Sequence, residues 1–197
     1  LFGTKDLYYL DSVITKNYIA VFHKSFRQDG LGVVGENGGL SSASKVMKLD
    51  SISMYSKRDL KTPIKRVHFE YTYALCKGIP NTSAPGTGKL TLKKIYFTYQ
   101  NSNRARMSPY VFDYHESSPT ENPNYNIKAY DRWGNYKPNN ATTIGIRDNV
   151  SLSENANSFI GSTVMPPSDY PYVEQDRPLT DVYTAVWNLK EVNLPSG

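Results

Sequence analysis

The densest run of chemistry-bearing side chains is Tyr130, Asp131, Arg132, Trp133, Gly134 and Tyr136. Indole and phenol rings offer flat faces to a pyranose while a carboxylate and a guanidinium bond its hydroxyls, so these residues are a candidate glycan platform. They also describe a structural corner, in which Gly134 supplies the turn, Asp131 caps backbone amides and Trp133 fills the core. Both readings stay open at the level of sequence.

Other chemistries lack a frame. His23, His68 and His115 each lie at or beside a strand-like run, and stacking of those runs could align them into a metal site. None has a nearby His or Cys partner, and His115-Glu116 lacks the second histidine of a zincin motif, so no metal is expected. The single cysteine, Cys76, ends the apolar run Tyr73-Ala74-Leu75-Cys76 and reads as a small buried hydrophobe rather than a nucleophile. There is no Gly-x-Ser-x-Gly elbow, phosphate loop or dinucleotide fingerprint. The expectation is a non-enzymatic chain without a cofactor.

Composition points to the elements that must position these residues. Sixteen Tyr in 197 residues, with 39% hydrophobic and 21% charged residues, favour a folded β-rich chain. The net charge of +5 is spread along the chain and not gathered into a patch, so nucleic acid is not an expected partner. No apolar window is long enough to span a bilayer as a helix. The ends of the sequence read as mid-domain, which suggests a piece of a larger polypeptide.

A motif recurs: Leu, two polar residues, then a β-branched residue. It occurs as Leu10-Asp11-Ser12-Val13, Leu49-Asp50-Ser51-Ile52, Leu92-Lys93-Lys94-Ile95 and Leu189-Lys190-Glu191-Val192. Three copies are followed by an aromatic return run, Val21-Phe22-His23, Phe69-Glu70-Tyr71 and Phe112-Asp113-Tyr114. From Leu49 to Phe69 and from Leu92 to Phe112 the offset is the same 20 residues. Each copy therefore reads as an outgoing strand, a turn and a returning strand. Turns are expected at Lys16-Asn17, over 57–63 and from Gln100, and surface loops over the glycine-rich stretches 29–39 and 78–88. In Val67-His68-Phe69-Glu70-Tyr71-Thr72-Tyr73 the period is two, with one aromatic face and one polar face.

These observations predict an all-β fold of repeated antiparallel β-hairpins, stacked into an extended sheet or a shell or sandwich. The hairpin region covers 1–115, an irregular Asn/Pro/Tyr-rich insertion covers 116–183, and 184–197 begins a further hairpin. Pro178 and Asp181 fit the first turn of a short helix over 177–187.

In Gly88-Lys89-Leu90-Thr91-Leu92-Lys93-Lys94-Ile95, Ser108-Pro109-Tyr110-Val111-Phe112-Asp113-Tyr114, Asn122-Pro123-Asn124-Tyr125, Tyr130-Asp131-Arg132-Trp133-Gly134-Asn135-Tyr136 and Trp187-Asn188-Leu189-Lys190-Glu191-Val192-Asn193-Leu194-Pro195-Ser196-Gly197 the chain resembles the strand-rich regions of Rhs and YD-repeat proteins, especially the very large ones of Bacteroidetes. What the resemblance implies is a secreted or cell-surface scaffold: a shell that encloses a toxin, or an adhesive surface rod. Its implied partners are flanking segments of the same polypeptide, an enclosed toxin domain or secretion machinery. The alternative is a carbohydrate-binding β-sandwich with glycans as partners.

Overall fold

A computed structural model describes residues 3–102, 104–127, 129, 136 and 185–195. Among these residues, seven strands form one antiparallel sheet in chain order: β1 (Ser12–Ile14), β2 (Tyr18–Gly35), β3 (Gly38–Ser56), β4 (Lys65–Leu75), β5 (Lys89–Tyr99), β6 (Tyr110–Tyr114) and β7 (Leu189–Asn193). One 3-10 turn, Arg104–Met107, lies between β5 and β6. The expected all-β hairpin architecture is present, as a single sheet. The chain divides into two compact units, one of Leu1–Tyr114 with Leu189–Gly197, the other of His115–Asn188. The sheet belongs to the first.

Local chemistry sets the hairpins. The Thr15 amide donates to the Tyr18 carbonyl (2.9 Å) while the Thr15 hydroxyl accepts from the Tyr18 amide (3.1 Å), closing the turn at Lys16-Asn17. The Asp59 carboxylate accepts from the amides of Lys61 (2.9 Å) and Thr62 (3.2 Å), folding the longer β3–β4 connection. The stretch 29–39, expected as a surface loop, is instead strand: β2 and β3 run through it, joined by a two-residue turn at Glu36-Asn37, with Gly38 and Gly39 at positive φ. Gly30 and Gly32 are inside the strand because the sheet crowds them. A Cβ on Gly30 would come within 2.9 Å of Val46 Cβ, and one on Gly32 within 2.7 Å of Ser44 Oγ.

The sequence motif proves to be a repeat in register. The fourth motif residue pairs with the residue two before the return-strand Phe: Val13 with Ala20, Ile52 with Val67, Ile95 with Tyr110. The Phe then pairs with the fourth residue of the next motif: Phe22 with Ile52, Phe69 with Ile95, Phe112 with Val192. Two residues further on, Lys24, Tyr71 and Tyr114 pair with Leu49, Leu92 and Leu189. The first return triplet is thus Phe22-His23-Lys24, one residue later than the run beginning at Val21.

Between these last two pairings the register shifts in all three ladders, and Asp50, Lys93 and Lys190 are each passed over. Each is the extra residue of a β-bulge. The bulge explains the spacing of the motif. In a regular strand residues three apart face opposite sides; one inserted residue returns both to the same side. Leu49 and Ile52, and likewise Leu92 and Ile95, therefore share the aromatic face.

That face crosses the sheet through Phe22, Ile52, Val67, Phe69, Ile95, Phe97, Tyr110 and Phe112 to Val192, and none of these side chains is fully buried. Part of its cover comes from lysine stems: Lys65 Nζ lies 4.1 Å from the Phe97 ring centre. The buried apolar residues described in this unit sit elsewhere. Leu75, Cys76 and Ile79 pack where the 76–88 loop folds back against β2. There β2 departs from β3 between Phe26 and Leu31 and bonds the loop instead, through Leu31 N to Asn81 O (3.1 Å) and Ser83 N to Gln28 O (2.8 Å). Asp29, with its side chain fully buried, accepts two bonds from Arg27 (2.8 and 2.6 Å) and one from the Leu90 amide (2.9 Å), tying β2 to β5.

Candidate functional site

Two arrangements on the sheet carry polar chemistry. The first is on the face opposite the aromatics, where β2, β3, β4 and β5 place His23, Ser51, His68 and Tyr96 in one cross-strand row and Ser53, Arg66 and Thr98 in the next. The Arg66 Nε–H donates to Ser53 Oγ at 2.6 Å, and His23 Nε2 lies 3.1 Å from the same oxygen. His68 stacks on Tyr96 with ring centres 4.6 Å apart and planes 8° apart, and its Nε2 lies 3.0 Å from Thr98 Oγ1. Burial, aided by the Arg66 and Arg106 charges, holds the His68 pKa below its ordinary value, so His68 is neutral at pH 7.

A serine beside a histidine and an arginine invites a nucleophilic reading. Ser53 is completely buried, however, and its oxygen already accepts from Arg66, so a substrate carbonyl has no approach to it. The pair locks β2, β3 and β4 together. Among the described residues no three His, Cys, Asp or Glu side chains gather as metal ligands. His23 and His68 flank Ser51 with separate partners, and His115 belongs to the second unit, where its Nδ1 lies 3.0 Å from Glu121 Oε1. Cys76 is buried, and burial raises its thiol pKa. No helix among the described residues is long and apolar enough to cross a membrane.

The second arrangement belongs to the repeat itself. Within each hairpin the ladder between outgoing and returning strands stops at the third motif residue, Ser12, Ser51 or Lys94. Beyond that point the strands part, in the first copy after one further bond from the Phe22 amide to the Asp11 carbonyl (2.8 Å), and the carbonyl of the motif leucine loses its ladder partner. A side chain of the returning strand satisfies it. Tyr71 Oη donates to Leu49 O at 2.8 Å, Tyr114 Oη to Leu92 O at 2.8 Å, and in the first copy Lys24 Nζ to Leu10 O at 2.7 Å. Burial raises the phenol pKa of Tyr71, with the Asp50 charge adding to it, and burial alone raises that of Tyr114. Both remain hydrogen-bond donors across the neutral range.

The capping residues also face the next leucine, so one line runs across the sheet: Leu10 carbonyl, Lys24, Leu49, Tyr71, Leu92, Tyr114, Leu189. Sequence reading found the leucines and the two tyrosines but not Lys24, because a lysine does not look like a tyrosine until both are seen donating to the same kind of carbonyl.

Of the predicted corner or platform, Tyr130, Asp131, Arg132, Trp133 and Gly134 lie outside the described residues. Tyr136 meets Trp187 edge-on, with ring centres 5.2 Å apart and planes at 74°. The Trp187 indole N–H donates to the Pro123 carbonyl (3.1 Å) and its amide to the Glu121 carbonyl (2.9 Å). Residues 185–187 form a turn, with Trp187 at φ 55°, in place of a helix end; the rest of the expected helix lies outside the described residues.

No protein-family model, curated protein or solved structure matches the chain.

Proposed function

We propose that the chain is a non-catalytic structural and interaction segment of a large exported protein of the Rhs/YD-repeat kind, part of a toxin-enclosing shell or a surface scaffold. The observation that carries this reading is the pairing of a register repeat with an aromatic face on which no described side chain is fully buried. A sheet whose phenylalanines and isoleucines keep part of their surface exposed gains stability when another layer or another repeat covers it. In such a protein most residues serve stacking, and the partners are flanking segments of the same polypeptide or an enclosed domain.

The test uses the 197-residue chain alone. The expected outcome is binding of an apolar dye in the native state and association that grows with concentration. A dye-silent monomer that unfolds in one cooperative transition would overturn the reading. A second reading, glycan binding, draws on the Tyr136–Trp187 ring pair, and saturable binding on a glycan array that is lost in Trp187→Ala would favour it.

A further inference from the structure

Strands β1, β3, β5 and β7 are all outgoing strands that hold all or the end of a leucine motif, and β2, β4 and β6 are all returning strands. Each interior outgoing strand, β3 or β5, is flanked by a returning strand on both sides. On its earlier side the pairing includes the bulge; on its later side the ladder ends early and the leucine carbonyl is capped. Strand β7 has the earlier neighbour alone among the described residues. It pairs with β6 through the bulge at Lys190, and its five residues are all exposed.

We infer that the outer edge of β7 receives a further antiparallel strand of the returning type. The incoming strand carries an aromatic residue at its centre. The residue two places before that aromatic faces Val192, as Val67 faces Ile52 and Tyr110 faces Ile95. The residue two places after it is a Tyr or Lys whose side chain donates to the Leu189 carbonyl. Pairing to an exposed edge supplies the main-chain bonds, and the aromatic and capping side chains fix the register.

The arrangement of the edges decides what the occupant is. Both ends of the sheet, β1 and β7, are outgoing strands, so a second copy of the sheet placed edge to edge would offer a leucine-motif strand where a returning strand belongs. The occupant is therefore a returning strand of a further hairpin unit. The inference rests on the scaffold reading and adds to it the register of the next contact.

A labelled synthetic peptide with the sequence of residues 108–116, which contains β6, is the probe, and the full chain is the receptor. Saturable anisotropy change is expected. The peptide with Tyr114→Phe should bind about fivefold more weakly, the loss of one hydrogen bond, and the Phe112→Ala peptide more weakly still. For register, the chain with Cys76→Ala and Val192→Cys is mixed with peptides carrying Tyr110→Cys or Val111→Cys under mild oxidant. Cross-linking should be at least tenfold faster at the first position, because the second points to the other face. No binding at millimolar peptide, equal affinity of all three peptides, or equal cross-linking rates would each overturn the inference. Dye binding measured on the same chain separates the two levels: a failed peptide with a dye-positive chain removes only the edge assignment, whereas a failed peptide with a dye-silent monomer removes the scaffold reading with it.

Discussion

The hydroxyl of Tyr71 donates to the carbonyl of Leu49 across 2.8 Å, and both residues recur 43 positions later as Tyr114 and Leu92 with the same bond. The cap is therefore a unit of the repeat and not a local accident. Tyr71→Phe and Tyr114→Phe should each cost about 1 kcal/mol by denaturant titration, since one partly buried carbonyl loses its donor in each case. Lys24→Met tests the first copy in the same way. A neutral result in all three would remove the cap from the account of the sheet.

Tyr71 and Tyr114 also give the sheet an alkaline limit. Their folded pKa values lie above the ordinary 10.0 of a phenol. As pH rises through about 10 the unfolded chain releases these protons first, so the stability they contribute is complete below that value and is lost above it. The Tyr71→Phe/Tyr114→Phe double variant should show a shallower loss of stability between neutral and strongly alkaline pH.

Asp29 sets an acid limit by the opposite sign. Burial pushes its carboxyl up, but the Arg27 guanidinium and the Leu90 amide together outweigh burial and leave the pKa below the usual 3.8. Its contribution is present above about pH 4 and declines as pH falls through the depressed value. Asp29→Asn should cost about 2–3 kcal/mol at pH 7, because the amide cannot match the two bonds from Arg27. Stability curves of the two chains should converge on acidification.

Among the described glycines, Gly88 is the one with least room for a side chain. A Cβ there would lie 1.8 Å from the Leu75 carbonyl oxygen, while Gly35 has nothing within 4 Å. Gly88→Ala should destabilise by about 3 kcal/mol or more, and Gly35→Ala by well under 1 kcal/mol. Thermal melts of the two variants compare them directly.

The bulge can be tested by deletion. Removing Lys93 joins Leu92 directly to Lys94 and turns Lys89–Leu92 over, sending Leu92 to the polar face. Lys93→Ala keeps the residue count and loses an ion pair with Asp113 at the surface. Deletion should therefore unfold β5 at far lower denaturant than the alanine substitution, as read by amide exchange across β4 and β5.

The alternation in Val67–Tyr73 exposed β4 to sequence reading, and the recurring Leu-x-x-Val or Leu-x-x-Ile marked the outgoing strands. Why the apolar ends of that motif stand three positions apart was invisible, since a bulge exists only in the pairing of two strands. The glycines of 29–39 misled for a related reason. Gly30 and Gly32 serve close approach to Val46 and Ser44, residues that no local pattern connects to them. The Ser53–Arg66–His23 contact was equally hidden, because it joins three strands through pairings that sequence distance does not reveal.

Every cap runs in the same direction along the chain. Lys24 closes on Leu10, Tyr71 on Leu49 and Tyr114 on Leu92, always a later side chain on an earlier carbonyl. A polypeptide that emerges N-terminus first can thus fasten each hairpin as soon as its second strand appears, without waiting for distant sequence. The sheet is built like a ratchet, with each tooth engaged by the next segment to arrive.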